Sequence, residues 1–270
     1  MEAEKPLQAE IIAVGTEIAM GRIQDTNSPW IARRVAGLGA FIRRITIVPD
    51  NEGDLLEALK AALERHRDIL IVTGGMGPTE DDLTVSCVAH LLGLPLVAHE
   101  DTIRAFVERR GLEDRSQLSP GAIKMATVPQ GAEVGQNPVG WAPCLHLRSG
   151  STDIFVLPGP PREMRATFDA HVLPALARRA HRRTRSLRIG VEMHESEVAP
   201  LMHTVMEKQH GTYLKAYVAM WQRGQGLLPV DVIATGESDD EAEAAAEQAL
   251  GTFTRLVEAQ GRHWRLLDNA

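Results

Sequence analysis

The sequence predicts an α/β protein with two domains. A three-layer α/β/α domain with a mostly parallel sheet is expected over residues 1–180, and a small α+β domain over residues 181–270. Apolar, strand-like runs alternate with amphipathic, helix-like segments through the first domain, and such alternation produces parallel strands joined by right-handed crossovers. The run DILIVTGG at 68–75 is apolar almost throughout, as expected of a strand that helices cover on both faces. Near residue 181 the pattern changes to closely spaced strands and helices.

Three strand–helix pairs make up the first half of the large domain: 10–15 with 28–39, 42–48 with 51–66, and 68–75 with 83–93. Local signals place the ends of these helices. Ser28 and Asn51 are residue types that cap helix N-termini, and Pro29 suits the first helical position after Ser28. Gly93 follows the last apolar residue of the third helix and is expected to end it.

The rest of the chain is less regular up to residue 180. Two helical pieces occupy 101–126, and Ser119 with Pro120 begins the second of them. Turn residues at 149–151 precede an apolar strand at 154–157, and Pro161 is the first residue of a helix over 162–176. Beyond residue 180 the pattern predicts a strand, a helix, two strands and a helix, at 185–193, 196–209, 212–221, 228–236 and 239–259.

Composition limits the classes of function. The net charge of −7 argues against generic nucleic-acid binding. The arginine run between Arg178 and Arg188 is interpreted as a helix end that continues into a solvated linker, with a phosphate or subunit contact as the alternative. No run of about eighteen apolar residues occurs and the N-terminus is polar and acidic, so neither a membrane span nor a secretory signal is expected. The two cysteines, Cys87 and Cys144, lack metal-ligand spacing, and a cytoplasmic protein is expected.

Three loops follow the apolar strands: GTE at 15–17, GGMGPTEDD at 74–82 and PGPPRE at 158–163. In an open parallel sheet the carboxyl ends of the strands share one edge, where ligands bind. Glycines at 74, 75 and 77 let backbone N–H groups approach a ligand, and the following helix would direct its positive end to the same place, as in phosphate sites. A plain turn is the alternative, because the loop matches neither the P-loop nor the GxGxxG pattern.

Carboxylates follow the glycines directly. Asp81 or Asp82 could cap the helix that begins near residue 83, but a cap needs one carboxylate and Glu80 adds a third. Acids beside a phosphate would repel it unless a divalent cation lay between them, and oxygen ligands favour Mg²⁺ or Mn²⁺. Asp50, after the second strand, is a further candidate. Turn, cap or surface roles are the alternatives for Asp50 and for Glu17, Asn27 and Asn137.

Several short motifs occur in a characteristic order: VGTE (14–17), TN (26–27), TGGMGPTEDD (73–82), NPVG (137–140), AP (142–143) and LPGPPREM (157–164). In order and spacing they resemble the CinA family and, more broadly, the molybdopterin-binding domain of the MogA/MoaB/gephyrin type. The resemblance covers residues 9 to about 178. The segment MHESEVAPLMHTV after residue 192 is similar to the small KH-type subdomain that follows in CinA-like proteins.

The resemblance implies a three-layer α/β/α domain that binds a phosphorylated, nucleotide-like ligand. It implies catalytic roles for Asp82 and Asp81, with Glu80 as an alternative to Asp81, and a metal ion (Mg²⁺, Mn²⁺ or Co²⁺) held by Asp82 and Asp50. The ligand-binding residues it implies, together with the candidates from the three loops, are Gly15, Thr16, Glu17, Asn27, Thr73, Gly74, Gly75, Gly77, Pro78, Thr79, Asn137, Gly140, Pro158, Gly159, Pro160 and Glu163.

The activity that the resemblance implies is metal-dependent hydrolysis of the pyrophosphate of ADP-ribose to AMP and ribose 5-phosphate. The alternatives are molybdopterin binding, with or without adenylyl transfer, and a ligand-binding module without catalysis. An RNA-binding module is disfavoured, because the residues after 180 have no GxxG and contain 13 acids against 10 lysines and arginines. A homo-oligomer is expected.

Two departures from the family pattern affect these expectations. Many CinA-like sequences continue NPVGxAPG, whereas Cys144 stands in place of the last glycine. The cysteine therefore puts in doubt the backbone geometry of the segment and a ligand contact there. Full-length CinA proteins carry a further domain that deamidates nicotinamide mononucleotide, and the chain has no room for it before Ala270. Deamidase activity is not expected.

Overall fold

A computed structural model of the chain describes residues 6–221 and 226–267. The chain divides into two compact units, which are described separately. The first consists of the chain up to Ala36 together with Ala40–Arg179, and the second of Gly37–Gly39 together with the chain from Ala180 onwards. Among the described residues, no helix is both long enough and apolar enough to cross a membrane.

The first unit is built on a six-stranded sheet in the order β2-β1-β3-β8-β7-β6. Its strands are β1 (Gln8–Val14), β2 (Phe41–Val48), β3 (Ile69–Thr73), β6 (Glu133–Gly135), β7 (Cys144–Ser149) and β8 (Thr152–Leu157). The first three strands and β8 run parallel, whereas β7 and β6 are antiparallel to their neighbours. The turn at Gly150, whose φ is +57°, reverses the chain between β7 and β8. The predicted α/β architecture with a mostly parallel sheet is confirmed.

Helices connect the strands of this sheet. They are α1 (Thr16–Ala19), α2 (Asn27–Gly37), α3 (Glu52–Glu64), α4 (Thr84–Leu92), α5 (Glu100–Arg110), α6 (Pro120–Met125), α7 (Pro161–Thr167) and α8 (Leu173–Arg179). A short two-stranded sheet of β4 (Leu96–Ala98) and β5 (Thr127–Pro129) lies beside them. Asn51 and Ser119 accept hydrogen bonds as N-caps, Gly93 ends α4 in the left-handed region and Pro161 begins α7, all as predicted.

Both faces of the sheet are buried at the central strands β1, β3 and β8, which explains why these strands are continuously apolar. The edge strand β2 is largely exposed. Ile12, Val72 and Val156 belong to one core, to which α3 and α4 contribute Leu59 and Val88. The alternate strand residues, which point to the other face, are equally buried: Ile11, Ala13, Ile71, Phe155 and Leu157. Burial on both faces is the pattern of a sheet enclosed between two layers of helices.

Two details of the helices differ from the sequence-based expectation. The predicted N-cap at Ser28 is wrong: α2 begins at Asn27, and the Asp25 carboxylate accepts hydrogen bonds from the N–H groups of Asn27 and Ser28, both at 3.0 Å. The helix predicted over 162–176 runs from Pro161 to Arg179 and contains a π-helical turn at Phe168–Val172. Pro174 explains this turn, since it has no N–H with which to continue the regular ladder.

The second unit is a four-stranded antiparallel sheet in the order β10-β11-β9-β12 with two helices. Its elements are β9 (Arg183–Val191), α9 (Glu195–Lys208), β10 (Thr212–Ala216), β11 (Leu228–Gly236), α10 (Asp239–Ala259) and β12 (Trp264–Leu266). The strand β12 was not predicted. A bidentate pair between Arg188 and Asp231, with Nε–Oδ1 at 2.6 Å, joins β9 to β11. The arginine run is therefore not a solvated linker, since Arg183 and Arg185 also lie in β9 and pair with acids of α10.

Candidate functional site

A cleft of about 530 Å³ lies at the carboxyl edge of the parallel strands in the first unit. The loops after β1 and β3 and the loop after β8 line it, together with Asp50 after β2. β1 and β3 are neighbours in the sheet, but the chain leaves β1 towards β2 on one side and leaves β3 towards β8 on the other. A crevice therefore opens between the two connections. Such a switch point is where open α/β sheets bind ligands.

Glycines of the loop after β3 permit a close approach between that loop and β1. Gly74 and Gly75 have φ values of +102° and +62°, which favour glycine. A Cβ atom at Gly74 would overlap the carbonyl oxygen of Val14, and one at Gly75 would overlap the hydroxyl of Thr84. That hydroxyl donates to the Gly74 carbonyl at 2.7 Å and locks the turn. The glycines are therefore required by the backbone path itself, whatever ligand the loop holds.

The acidic end of this loop closes on itself. Asp82 Oδ2 accepts hydrogen bonds from the N–H and the hydroxyl of Thr79, at 2.9 and 2.6 Å. A Cβ at Gly77 would lie 2.6 Å from the same oxygen. The alternative that Asp81 or Asp82 caps α4 is wrong: Leu83 is the N-cap and no side chain caps the helix. Asp82 lies directly before the N-cap Leu83, and no residue of α4 itself lines the cleft. The predicted contribution of the α4 dipole stays a prediction.

A buried hydrogen-bond network supports the loops from behind. Thr73 donates to the Pro158 carbonyl at 2.8 Å, and Asn27 Nδ2 donates to the Thr73 hydroxyl and to the Gly159 carbonyl, at 3.2 and 2.8 Å. Asn27 is 7% exposed, and its Oδ1 is buried with no partner among the described residues. Because an unpartnered buried acceptor is costly, a donor from a ligand or from water is expected there.

Acidic side chains surround the cleft, and the lining contains no lysine or arginine. Its five carboxylates belong to Glu17, Asp25, Asp50, Asp81 and Asp82. Three of these carboxylates accept hydrogen bonds through one oxygen only. Asp50 Oδ2 accepts from the Thr16 N–H at 2.7 Å. Asp25 Oδ1 and Asp82 Oδ2 accept from the N–H groups of Asn27 and Thr79, respectively. The second oxygen of each of the three forms no hydrogen bond with a described residue. Each of these three carboxylates is thus oriented through one oxygen, while its other oxygen is available to a ligand or a metal ion.

The charge state of Asp81 is set by its neighbours. The pKa of Asp81 is lowered, chiefly by the adjacent polar side chain of Thr79 and by its own backbone N–H, with a smaller contribution from the Lys124 charge. The single hydroxyl proton of Thr79 is donated to Asp82 Oδ2. Lys124 of α6 also donates to the carbonyl of Thr79. Gly121 of the same helix packs against Pro78, where a Cβ would come within 2.7 Å. Asp81 is therefore ionised at neutral pH, on a loop that α6 supports.

The donor set fits a divalent cation only in part. Among residues 6–221 and 226–267 no group of three or more His, Cys, Asp or Glu side chains is arranged to hold a metal ion. Mg²⁺, however, is commonly bound by one or two carboxylates together with substrate phosphates and water. Asp50 and Asp82 both line the cleft with an available oxygen, so they fit the mode in which a ligand completes the coordination.

Asn137, Gly140 and Glu163, which the sequence assigns to the ligand, form a cluster of their own. Glu163 Oε2 accepts from Asn137 Nδ2 at 2.7 Å and from the Trp141 N–H at 3.1 Å. Asn137 Oδ1 accepts from the N–H groups of Val139 and Gly140, and a Cβ at Gly140 would overlap the Glu163 carboxylate. The cluster fixes the segment before β7 and contributes no residue to the lining of the cleft. Its predicted contact with a ligand stays a prediction.

Twelve of the residues singled out in the sequence line the cleft: Gly15, Glu17, Asn27, Asp50, Gly74, Gly75, Gly77, Pro78, Asp81, Asp82, Gly159 and Pro160. Thr16, Thr73, Thr79 and Pro158 support them from behind through hydrogen bonds. The lining also contains Ile18, Ile23, Gln24 and Asp25, to which the sequence did not point. Thr26 and Met76 line the cleft as well; both lie in the quoted motifs but were not named as candidates. The polarity of 24–26, just before α2, could have indicated Gln24 and Asp25.

Cys144 lies at the start of β7, where its Cα pairs with Gly135. Its backbone does not have a positive φ; among the described residues other than glycine only His66 has one. The strand accepts a cysteine without backbone strain. Burial raises the pKa of this thiol to about 12, so it is protonated at neutral pH. Cys144 does not line the cleft.

Comparisons with known proteins give the family. The family described as the probable molybdopterin binding domain matches residues 10–178. A CinA-like protein from Anaeromyxobacter dehalogenans is 38% identical over 261 residues, which are 95% of this chain and 62% of that protein. The chain belongs to the CinA-like, molybdopterin-binding domain family.

Two further matches cover different parts of the chain. A protein from Pyrobaculum aerophilum is 37% identical over 254 residues, 92% of this chain and 94% of its own length. The structure of CinA from Thermoplasma acidophilum is 34% identical, covers 63% of this chain and 98% of its own, and has a TM-score of 0.59. The first match extends the similarity through both units.

Substitution of Gly75 and of Gly93 by alanine separates two reasons for a glycine in this CinA-like chain. One reason is a positive φ, which both positions have, and the other is the lack of room for a side chain, which applies to Gly75 alone. The φ values of the two glycines are +62° and +65°, but an added Cβ overlaps Thr84 at Gly75 and meets nothing within 4 Å at Gly93. Gly93→Ala should cost about 1 kcal/mol of unfolding free energy. Gly75→Ala should cost about 3 kcal/mol, since overpacking adds to the same backbone penalty. Urea denaturation measures both, and equal losses would show that the loop tolerates a side chain.

Proposed function

We propose that the cleft binds a small phosphorylated ligand of the molybdopterin type. The observation that carries the proposal is the loop from Gly74 to Gly77, whose bare backbone faces a cleft at the switch point of the sheet. Backbone N–H groups presented by glycines are a common way to bind phosphate oxygens. Membership of the probable molybdopterin binding domain family supports this class of ligand.

Apolar and polar groups of the lining suit the rest of such a ligand. Ile18, Ile23 and Met76 provide an apolar surface for a planar heterocycle. The unpartnered Oδ1 of Asn27 would accept a hydrogen bond from a ring N–H or an amino group. A pterin and an adenine both carry such donors, so these residues do not select between a molybdopterin and a nucleotide.

Electrostatics requires a cation for tight binding. Five carboxylates line the cleft, and the lining contains no lysine or arginine; the Lys124 charge acts on Asp81 from outside the lining. A phosphate dianion would be repelled by these carboxylates. A divalent ion between the phosphate and the available oxygens of Asp50 and Asp82 would reverse the sign of the interaction. Affinity should therefore depend on Mg²⁺ or a similar ion.

Asp82→Asn is the sharpest variant for this proposal. Asparagine keeps an oxygen that can accept from the Thr79 N–H, so the turn is retained while the charge is lost. With Mg²⁺, the variant should bind molybdopterin or ADP-ribose about tenfold or more weakly than the unmodified protein, as measured by calorimetry. Chelation of the metal should weaken binding by the unmodified protein to a similar degree.

Asp101→Asn is the matched control, because Asp101 forms an exposed ion pair with Arg104 on α5, outside the cleft. Its affinity should equal that of the unmodified chain. Binding of neither ligand, or binding that is indifferent to both Asp82→Asn and Mg²⁺, would overturn the proposal.

A second candidate is hydrolysis of the pyrophosphate of ADP-ribose to AMP and ribose 5-phosphate. The observation that favours it is the presence of Asp50, Asp81 and Asp82 in the lining of one cleft. A bound divalent ion would supply Lewis-acid polarisation of the phosphoryl group. Asp81 would orient the attacking water and accept its proton, as the water oxygen bonds to phosphorus and the bond from phosphorus to the bridging oxygen breaks.

Incubation with ADP-ribose and Mg²⁺, Mn²⁺ or Co²⁺ tests this candidate, with AMP followed by chromatography. The candidate predicts metal-dependent AMP that Asp82→Asn abolishes. Absence of AMP with every metal, in a protein that binds ADP-ribose, would leave binding as the function. The homo-oligomer expected from the sequence stays a prediction, which light scattering would test on the same sample.

A further inference from the structure

A second cavity, of about 280 Å³, lies in the first unit between the helix that ends at Arg179 and the strands β6, β7 and β8. It shares no lining residue with the cleft. Its size is at the lower end of the range for ligand pockets, which suits a small molecule of one ring. Aromatic, apolar and charged side chains all contribute to its walls.

The π-helical turn and a glycine shape this cavity. Leu173 donates its N–H to the Phe168 carbonyl five residues earlier, and the widened turn carries His171 at the cavity wall. Turns of this kind are frequent at functional sites. The His171 ring packs on Gly135, where a Cβ would come within 2.6 Å of it. The position of the ring is therefore built into two separate elements of the fold.

His171 presents a hydrogen-bond acceptor. Its Nε2 lies 2.7 Å from the Gln136 carbonyl oxygen, which can only accept, so Nε2 carries the proton of the neutral ring. Nδ1 is then an acceptor, and no described residue donates to it. A ligand group with an O–H or N–H would be its complement.

Arg178 presents an unpaired positive charge at the other end of the cavity. It forms no ion pair with a described residue, whereas the neighbouring Arg179 pairs with the buried Asp153. Arg178 and His171 are seven residues apart, which is about 10 Å along a helix. Both side chains line the same cavity, so one elongated molecule can contact the two groups at once.

A stacked pair of rings forms the wall between these ends. His146 lies parallel to Phe155, with centroids 4.4 Å apart and planes at 9°. Its two nitrogens lie 3.0 Å from carboxylate oxygens of Glu133 and Asp153, which hold the ring in place. Burial alone would raise the pKa of Asp153, but hydrogen bonds from His146 and Arg148 and the Arg179 charge lower it. The wall is thus a fixed surface on which a planar ring can stack.

We propose that this cavity binds a small aromatic carboxylate with a hydrogen-bond donor at the far end of its ring. The carboxylate pairs with Arg178, the ring stacks on the His146–Phe155 wall, and the donor meets Nδ1 of His171. The probes are 4-hydroxybenzoate, its neutral analogue 4-hydroxybenzamide, and benzoate, which lacks the donor.

Calorimetry with the full chain tests the site. The unmodified protein should bind 4-hydroxybenzoate about tenfold more tightly than 4-hydroxybenzamide, and Arg178→Gln should remove this difference. His171→Leu should remove the preference for 4-hydroxybenzoate over benzoate. Arg33→Gln, at an exposed arginine outside the cavity, is the matched control and should change neither preference.

Three results would overturn the proposal. The first is no binding of 4-hydroxybenzoate at millimolar concentration. The second is equal affinity for the acid and the amide, or an affinity that Arg178→Gln leaves unchanged. The third is loss of binding in Asp82→Asn, which would place the probe in the cleft rather than in the second cavity. Each variant replaces an exposed or partly exposed side chain, and circular dichroism confirms that it is folded before titration.

Discussion

The close approach of Gly74 to β1 is the constraint on which the site depends. No side chain fits between Gly74 and the carbonyl of Val14, so the loops after β1 and β3 meet at the switch point of the sheet. Asn27 and Thr73 then tie this junction to the loop after β8. The floor of the cleft is therefore a single hydrogen-bonded unit drawn from three loops, and its shape is set before any ligand binds.

The charge of the lining determines which ions the cleft favours. The glycine backbone favours an anion, whereas the five carboxylates around it disfavour one. The proposed cation would remove this conflict by binding together with the ligand, and three of the carboxylates each have one oxygen without a described hydrogen-bond partner. Under this proposal ligand and metal bind as a pair, because the described residues offer no group of three or more His, Cys, Asp or Glu side chains arranged for a metal ion.

Local signals predicted the elements well, since Asn51, Ser119 and Gly93 act as caps through their own chemistry and the bounds of α10 were predicted to the residue. The start of α2 was missed because Asp25, two residues before it, takes the role expected of Ser28. Convergence of the three loops followed from the parallel strand order alone. The separate cluster of Asn137 and Glu163, and the apolar lining at Ile18 and Ile23, could not be predicted, because they depend on tertiary packing.

The most direct measurement is a titration of ¹⁵N-labelled protein with ADP-ribose or molybdopterin, with and without Mg²⁺, followed through the backbone amides. The Gly74 N–H already donates to the Leu157 carbonyl at 3.1 Å. The account therefore predicts that the amides of Gly75 and Gly77 shift most, only with the metal present, while those of Val139 and Gly140 in the separate cluster stay in place. Shifts centred on Val139 and Gly140, or equal shifts of Gly75 and Gly77 without Mg²⁺, would contradict it.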